Sequence, residues 1–298
     1  MTSLEPSRAA VNPAEPIPGS FVTRDGLTLS TYRLHVDQSV LEPVLLIHGL
    51  GDHSRSMPYL RLGNFLAARG FEVFAFDRRG SGRSDGLANY AASWDDLRDD
   101  LGRFVDIVED QCGRLPSLVG LSFGGLQALD FALNAPDSLH SCVVMAPALD
   151  VSGTSRFLRR ILPFVANWWP TLNVDPGLDD AALTRDKALC REYRTDPLWR
   201  KHTTPALAVA ALDAIARVQQ GAPRILTPLL VLHGTADRVV PIGGTRSAFP
   251  TFGSLDKSFI EVDGAFHALP IEPEGDRIAG QIADWLEARN GRAEAPRA

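Results

Sequence analysis

Gly120-Leu121-Ser122-Phe123-Gly124 lies between an apolar run, 116–121, and the segment Gly125-Leu126-Gln127-Ala128-Leu129-Asp130-Phe131-Ala132-Leu133. The run reads as a short buried strand and the segment as a helix. In that context Gly-x-Ser-x-Gly describes a sharp strand-to-helix turn that strains the serine backbone and lifts its hydroxyl into a cleft. The flanking glycines are required because a side chain at either position would meet the neighbouring strand or helix. The helix opening at Phe123 aims its first amides at the place where negative charge would develop. The alternative is an ordinary Gly/Ser turn, against which the flanking strand and helix both speak.

A serine hydroxyl is a poor nucleophile near neutral pH, so a histidine must take its proton and an acid must hold the histidine. Two downstream segments supply them. Pro228-Leu229-Leu230-Val231-Leu232-His233-Gly234 reads as a buried strand, with Asp237 on the loop that leaves it. The stretch 258–262 reads as the next strand and is followed by Asp263-Gly264-Ala265-Phe266-His267. The order Ser122, Asp237, His267 is the order that this arrangement of strands demands. Asp263 competes for the role of acid but lies too close to His267 on the same loop. His48 and His233 fall at strand ends, where packed structural histidines also occur. An oxyanion needs two donors. Placement nominates the amide of Phe123 and, after the strand 44–47 and its His48-Gly49 turn, that of Leu50.

Around these segments strands and helices alternate: strand 44–47, helix 57–69, strand 72–76, helix 94–110, strand 117–121, the helix after Ser122, and strand 141–145. Such alternation predicts an α/β fold with a mostly parallel central sheet and helices on both faces. Arg24-Asp25-Gly26 is a hairpin signal near the start. The alternation breaks after Asp150 and resumes at Pro228. The intervening stretch has helical periodicity and is too long for a plain loop. The expected organisation is a loose tail over 1–20, a core over 21–150 and 223–291, and an inserted helical lid over 151–222.

The 298 residues are 45% hydrophobic and 22% charged, which suits a globular chain. The net charge of -6 and the lack of a basic block speak against nucleic acid as a partner. Cys112, Cys142 and Cys190 are sparse and lack metal-ligand spacing, so they are expected to be reduced packing residues, with no metal. No apolar stretch reaches membrane-spanning length, and the first twenty residues lack an apolar signal core, so a cytoplasmic location is expected. Asp95, Asp96, Asp99 and Asp100 read as a solvated helix face rather than a cation site. The Gly-rich segment from Asp77 to Ser84 matches neither nucleotide-binding pattern, and reads as a structural turn beside the cleft.

Together these pieces resemble the α/β-hydrolase superfamily and, within it, the monoacylglycerol lipase and lysophospholipase group. The likeness runs from about Phe21 to Arg289. It rests on His48-Gly49-Leu50-Gly51-Asp52-His53-Ser54, the segments 77–86, 120–125, 233–241 and 264–267, and on two stretches of the insert, Leu183-Thr184-Arg185-Asp186 and Tyr193-Arg194-Thr195-Asp196-Pro197-Leu198. The resemblance implies Ser122 as nucleophile, His267 as base and then acid, Asp237 as orienting acid, Leu50 and Phe123 as oxyanion donors, and no cofactor. In that group the turn after the first His-Gly carries Glu before His, with an Arg-Tyr pair soon after, and serves the glycerol headgroup. Here it carries Asp52 and Arg55, the expected headgroup contacts. The implied reaction is hydrolysis of monoacylglycerols, lysophospholipids or related medium- and long-chain esters. A small-ester esterase, C–C bond hydrolysis, perhydrolysis and a non-enzymatic receptor on the same fold are the rivals. In the insert, Phe157, Ile161 and Trp168 recur at helical spacing. They are expected either to pack inward or to line an acyl pocket, with aromatics touching a membrane or micelle. The oligomeric state is not encoded in any of these patterns.

Overall fold

Successive residues of a strand face opposite sides of its sheet, and strand β3 (Val44–Ile47) distributes its apolar side chains accordingly. Leu45 and Ile47 join one buried cluster, Val44 and Leu46 another. Helices α2 (Trp94–Cys112) and α3 (Phe123–Asn134) complete the first cluster, and helices α1 (Met57–Ala68) and α8 (Gly275–Glu287) the second. The sheet is therefore covered on both faces, as its continuous apolar strands require. The coordinates are a computed structural model that describes residues 15–37, 39–150, 156–177 and 179–290.

Eight strands form the sheet in the order β1-β2-β4-β3-β5-β6-β7-β8. They are β1 (Ile17–Val22), β2 (Thr28–Leu34), β3, β4 (Val73–Phe76), β5 (Ser117–Leu121), β6 (Ser141–Met145), β7 (Leu229–Gly234) and β8 (Lys257–Val262). β1 and β2 pair antiparallel through the Arg24-Asp25-Gly26 turn, β2 pairs antiparallel with β4, and all later pairings are parallel. The chain leaves β3 towards β4 on one side and returns to β5 on the other. Loops leaving β3 and β5 thus diverge and open a crevice at the carboxyl ends of the strands. The loops bearing Leu50, Ser122, Asp237 and His267 all leave that end.

The structure departs from the sequence reading in three places. β1 begins at Ile17, inside the stretch read as a tail; Pro18 is tolerated because β1 is an edge strand. The rest of that tail, 1–14, and the C-terminal stretch 291–298 lie outside the described residues. Between β6 and β7 come α4 (Arg156–Trp168), α5 (Lys187–Arg194) and α6 (Pro205–Gly221). α6 buries Leu207, Ala214, Ile215 and Val218 in the first core cluster, so it packs as a core helix although it was read as lid. Finally, Asp100 is buried and not solvated: it takes Nε of Arg79 at 2.7 Å and Nη2 at 2.8 Å. The other three acids behave as an exposed helical start. Asp96 closes a capping box with Ser93, Asp95 pairs with Arg98, and Asp99 pairs with Arg24.

Candidate active site

Ser122 is the residue between β5 and α3, with φ 58° and ψ -117°. A positive φ is costly for a residue with a side chain, of order 1–3 kcal/mol. The surroundings hold it there. The Ser122 amide donates to the Met145 carbonyl at 2.9 Å, and its own carbonyl accepts from Leu126 and Ala148 at 3.0 and 3.1 Å. A Cβ at Gly124 would collide with the backbone carbonyls of Ile47 and His48, and one at Gly120 with the backbone of Gly124. Both glycines are thus set by close approach of backbone to backbone.

His267 and Asp237 meet on the loops after β8 and β7. His267 Nδ1 lies 2.7 Å from Asp237 Oδ2, and both side chains are buried. Asp237 Oδ1 accepts from the amides of Val239 and Val240 at 2.8 and 2.9 Å. His233 Nε2 stands 3.2 Å from Asp237 Oδ2 and 2.9 Å from the Val240 carbonyl. Both of those neighbours are acceptors, so this nitrogen carries the proton and Nδ1 accepts from Thr245 Oγ1 at 2.9 Å. Burial pushes the Asp237 carboxyl up, but His267, His233 and the loop amides outweigh it and hold the group well below the usual carboxylate range. An ionised Asp237 fixes the proton of His267 on Nδ1 and leaves Nε2 as a lone pair. Asp263 is exposed and, among the described residues, its carboxylate accepts a long 3.3 Å bond from Thr235, so the geometry favours Asp237 over its rival.

Ser122 and His267 line one cavity, together with Gly49, Leu50, Asp52 and Tyr59. Phe123 heads α3, where the first amides of a helix have no partner within it. The far wall comes from the insert: Leu183, Tyr193, Trp199, Arg200 and Lys201. The cavity volume is about 60 Å³. Among the described residues no group of three or more His, Cys, Asp or Glu could hold a metal ion.

The insert is fastened to two loops that border the cavity, the one after β3 and the one after β8. Tyr193 donates to Asp52 Oδ2 at 2.7 Å, His53 Nε2 lies 2.8 Å from Asp196, and the Arg200 amide donates to the Gly51 carbonyl at 2.7 Å. Asn89 Nδ2 donates to the carbonyls of Arg200 and His202, at 3.3 and 2.5 Å. At the other loop the Ala268 amide donates to Leu183 O at 2.7 Å, Thr184 Oγ1 to Ile271 O at 2.9 Å, and Arg185 Nε to the buried Glu272 at 2.6 Å. A Cβ at Gly51 would strike the Arg200 carbonyl, and φ there is 73°. Gly51→Ala is therefore expected to unseat the segment 196–204. The expected result is faster proteolytic nicking within that segment and roughly a tenfold or greater fall in ester turnover, as small misplacements near a reacting centre produce.

The sequence-nominated substrate contacts fare unevenly. Asp52 lines the cavity, but its carboxylate is engaged by Tyr193 and by the His53 amide at 2.9 Å, and burial raises its pKa. Arg55 is half-buried and is not among the cavity residues. Phe157 and Trp168 are 72% and 64% exposed on α4, Ile161 is 36% exposed, and none of the three reaches the cavity. α4 packs on α6; Phe164, Trp169 and Leu172 are exposed as well, and the rings of Phe164 and Trp168 lie 6.3 Å apart. Of the far-wall residues, Leu183 and Tyr193 lie in stretches that the sequence singles out, whereas Trp199, Arg200 and Lys201 follow the Tyr193–Leu198 stretch with nothing in their own pattern to mark them.

A sequence profile of serine aminopeptidase family S33 matches residues 38–274, from before β3 to beyond His267. The chain belongs to family S33. Its insert lies wholly within the S33 match. The chain is 28% identical over 246 residues to the monoacylglycerol lipase of Mycolicibacterium smegmatis, spanning 82% of this chain and 87% of that one. It is 29% identical over 256 residues to the monoglyceride lipase of Homo sapiens, spanning 84% of each. The crystal structure of Paleococcus ferrophilus monoacylglycerol lipase superposes with a TM-score of 0.77 at 30% identity, covering 92% of this chain and 99% of that one. The α/β-hydrolase fold is thus shared by this S33 chain and its relatives.

Proposed function

We propose that this protein is a serine carboxylic ester hydrolase acting on medium- or long-chain acyl esters of the monoacylglycerol or lysophospholipid type. The carrying observation is the 2.7 Å contact of His267 with Asp237, together with the cavity that His267 and Ser122 both line. Ser122 Oγ attacks the ester carbonyl as His267 Nε2 takes its proton. The oxyanion forms against the amides of Leu50 and Phe123, and His267 then protonates the leaving alcohol. Water, deprotonated by the same nitrogen, attacks the acyl-enzyme and frees the acid and Ser122. The acyl-ester substrate class is supported by the relatives, whose names are monoacylglycerol and monoglyceride lipases.

Pocket size favours a second reading. About 60 Å³ is far below the roughly 300 Å³ at which ligand pockets begin. A small-ester esterase would use the cavity nearly as it stands, whereas a long-chain lipase must shift the insert. The exposed apolar surface of α4 supports the lipase reading: a helix with Phe157, Phe164 and Trp168 outward suits transient contact with a membrane or micelle. No described helix is long and apolar enough to cross a membrane.

Rates across glycerol monoesters, lysophospholipids and p-nitrophenyl esters of increasing chain length separate the two. Each buried methylene adds about 0.8 kcal/mol, so the lipase reading expects kcat/KM to climb with chain length until the pocket fills. A maximum at acetate would establish the esterase instead. Trp168→Ser with Trp169→Ser is expected to lower long-chain turnover on micelles several-fold more than acetate-ester turnover. An equal effect on both substrates would remove the surface role of α4.

A further inference from the structure

Arg78 is the second residue of the loop after β4, a position that the sequence marks only as part of a structural turn. Its guanidinium is buried directly behind the His48-Gly49-Leu50 turn. Nη2 donates to the Gly49 carbonyl at 2.5 Å and Nη1 to the His48 carbonyl. The guanidinium carbon also lies 4.8 Å from the centre of the Phe123 ring. We propose that Arg78 is a positioning residue for the oxyanion hole, a single cation that braces the peptide presenting the Leu50 amide and the residue presenting the Phe123 amide. The proposal rests on the reading of those amides as the oxyanion donors.

The geometry of a peptide bond carries the first half of the argument. In a trans peptide the C=O and the N–H point in opposite directions. The Gly49 carbonyl and the Leu50 amide belong to one such unit. Holding the carbonyl against Arg78 turns the Leu50 N–H the other way, and the other side is the cavity that Leu50 and Ser122 line. The Gly49 carbonyl has a second anchor. The Arg78 amide donates to His48 Nε2 at 3.0 Å, which leaves the His48 proton on Nδ1, 2.9 Å from that carbonyl. Burial, and next the Arg78 charge, hold His48 well below its usual pKa and keep the imidazole neutral. Tyr59 takes the Gly49 N–H at 2.7 Å. The Gly49–Leu50 peptide is therefore held at its carbonyl by Arg78 and His48, the preceding His48–Gly49 peptide is held by Tyr59 and by Arg78 Nη1, and a cation on the Gly49 carbonyl polarises the Leu50 amide into a stronger donor.

Charge carries the second half. Among the described residues Arg78 forms no ion pair. The nearby Asp77 is occupied by Ser54 and the Arg83 amide, and Asp52 by Tyr193 and the His53 amide. Burial lowers the Arg78 pKa to about 10, so the group stays charged near neutrality. A buried cation without a partner is costly to keep. An oxyanion forming on the far side of the turn would partner it, in the transition state and not before.

The test compares Arg78→Gln and Arg78→Lys with wild type on p-nitrophenyl butyrate, and adds inhibition by phenylboronic acid, which forms an anionic tetrahedral adduct with an active-site serine. Outright loss of an oxyanion donor costs about 10²–10³ in rate; a displaced and less polarised donor is expected to cost roughly 10–100-fold in kcat for Arg78→Gln, with KM changed by no more than about threefold. Boronate affinity should fall in step with kcat/KM, and Arg78→Lys, which keeps the charge, should lie between Gln and wild type on both scales. If Arg78→Gln fails to fold, Arg78→Lys carries the same comparison. Wild-type kcat in the folded variants overturns the proposal, as does a loss confined to KM, or a fall in kcat with boronate affinity unchanged. Ser122→Ala is measured alongside. If it retains turnover the serine-hydrolase reading fails and the proposal with it, whereas an inactive Ser122→Ala beside an unimpaired Arg78→Gln overturns the role of Arg78 alone.

Discussion

Ser122→Ala is expected to leave the fold intact and to lower ester turnover by a factor on the order of 10⁴–10⁶. The fold should survive because the elbow is held by backbone bonds from Ser122 to Met145, Leu126 and Ala148, none of which uses the hydroxyl. Alanine inherits the strained φ of 58° without relieving it. Thermal unfolding should therefore move little while hydrolysis disappears. A fluorophosphonate should modify wild type once, at Ser122, and should not modify the variant. Residual turnover within a hundredfold of wild type, or labelling at another serine, would refute the assignment.

Asp237→Asn is expected to lower kcat by about 10⁴ with a much smaller change in KM, because an amide in that place offers an N–H to His267 Nδ1 and selects the wrong tautomer. Asp263→Asn should leave kcat within a few-fold, since Asp263 is solvent-facing and its carboxylate accepts a long bond from Thr235. The reverse pair of results would move the orienting role to Asp263. The same substitution has a signature in stability. The folded Asp237 carboxyl titrates below its ordinary value of 3.8. A depressed folded pKa contributes stability that is fully present above the unfolded value and is lost as pH falls towards the folded one. Any Tm advantage of wild type over Asp237→Asn should thus be constant near neutrality and shrink as pH is lowered through and below about 3.8. An advantage that grows on acidification would contradict the assigned shift.

The elements of this site differ in how far they can be read from sequence. The turn at Ser122 is legible because Gly120 and Gly124 are fixed by backbone contacts that no other residue allows, so geometry leaves a mark on composition. Asp237 and His267 are legible because each lies on the loop that follows a recognisable strand, the continuous apolar run of β7 and the Phe259-Ile260-Glu261-Val262 stretch of β8. The far wall is not. Tyr193, Asp196 and Arg200 reach the Gly51-Asp52-His53 turn across more than 140 residues, and no local periodicity records which polar groups will pair at that distance. The sequence accordingly offers Asp52 as a headgroup contact, although one of its oxygens takes Tyr193 of the insert and the other the His53 amide. α4 shows the converse limit. Its amphipathic pattern announces an apolar face but is silent about whether that face turns inward, and in the structure Phe157 and Trp168 turn outward. Arg78 is hidden for a third reason. A charged residue in a Gly-rich loop reads as surface, and only the packed structure shows it enclosed between a strand end and an aromatic ring.

The fastening of the insert bears on how such a protein can be rebuilt. Tyr193 and Asp196 answer to Asp52 and His53, and Arg185 answers to Glu272. Lock and key are thus encoded in different parts of the chain, some before Ser122 and some after His267. A cap transplanted from another hydrolase would arrive without its matching sockets, and would deprive three buried polar groups of the scaffold of their cap-side partners. Chimeras that alter substrate range by exchanging this region should therefore be cut with the sockets included, moving positions 51–53 and 272 together with the cap. The cap is better regarded as one half of a matched set than as an interchangeable module.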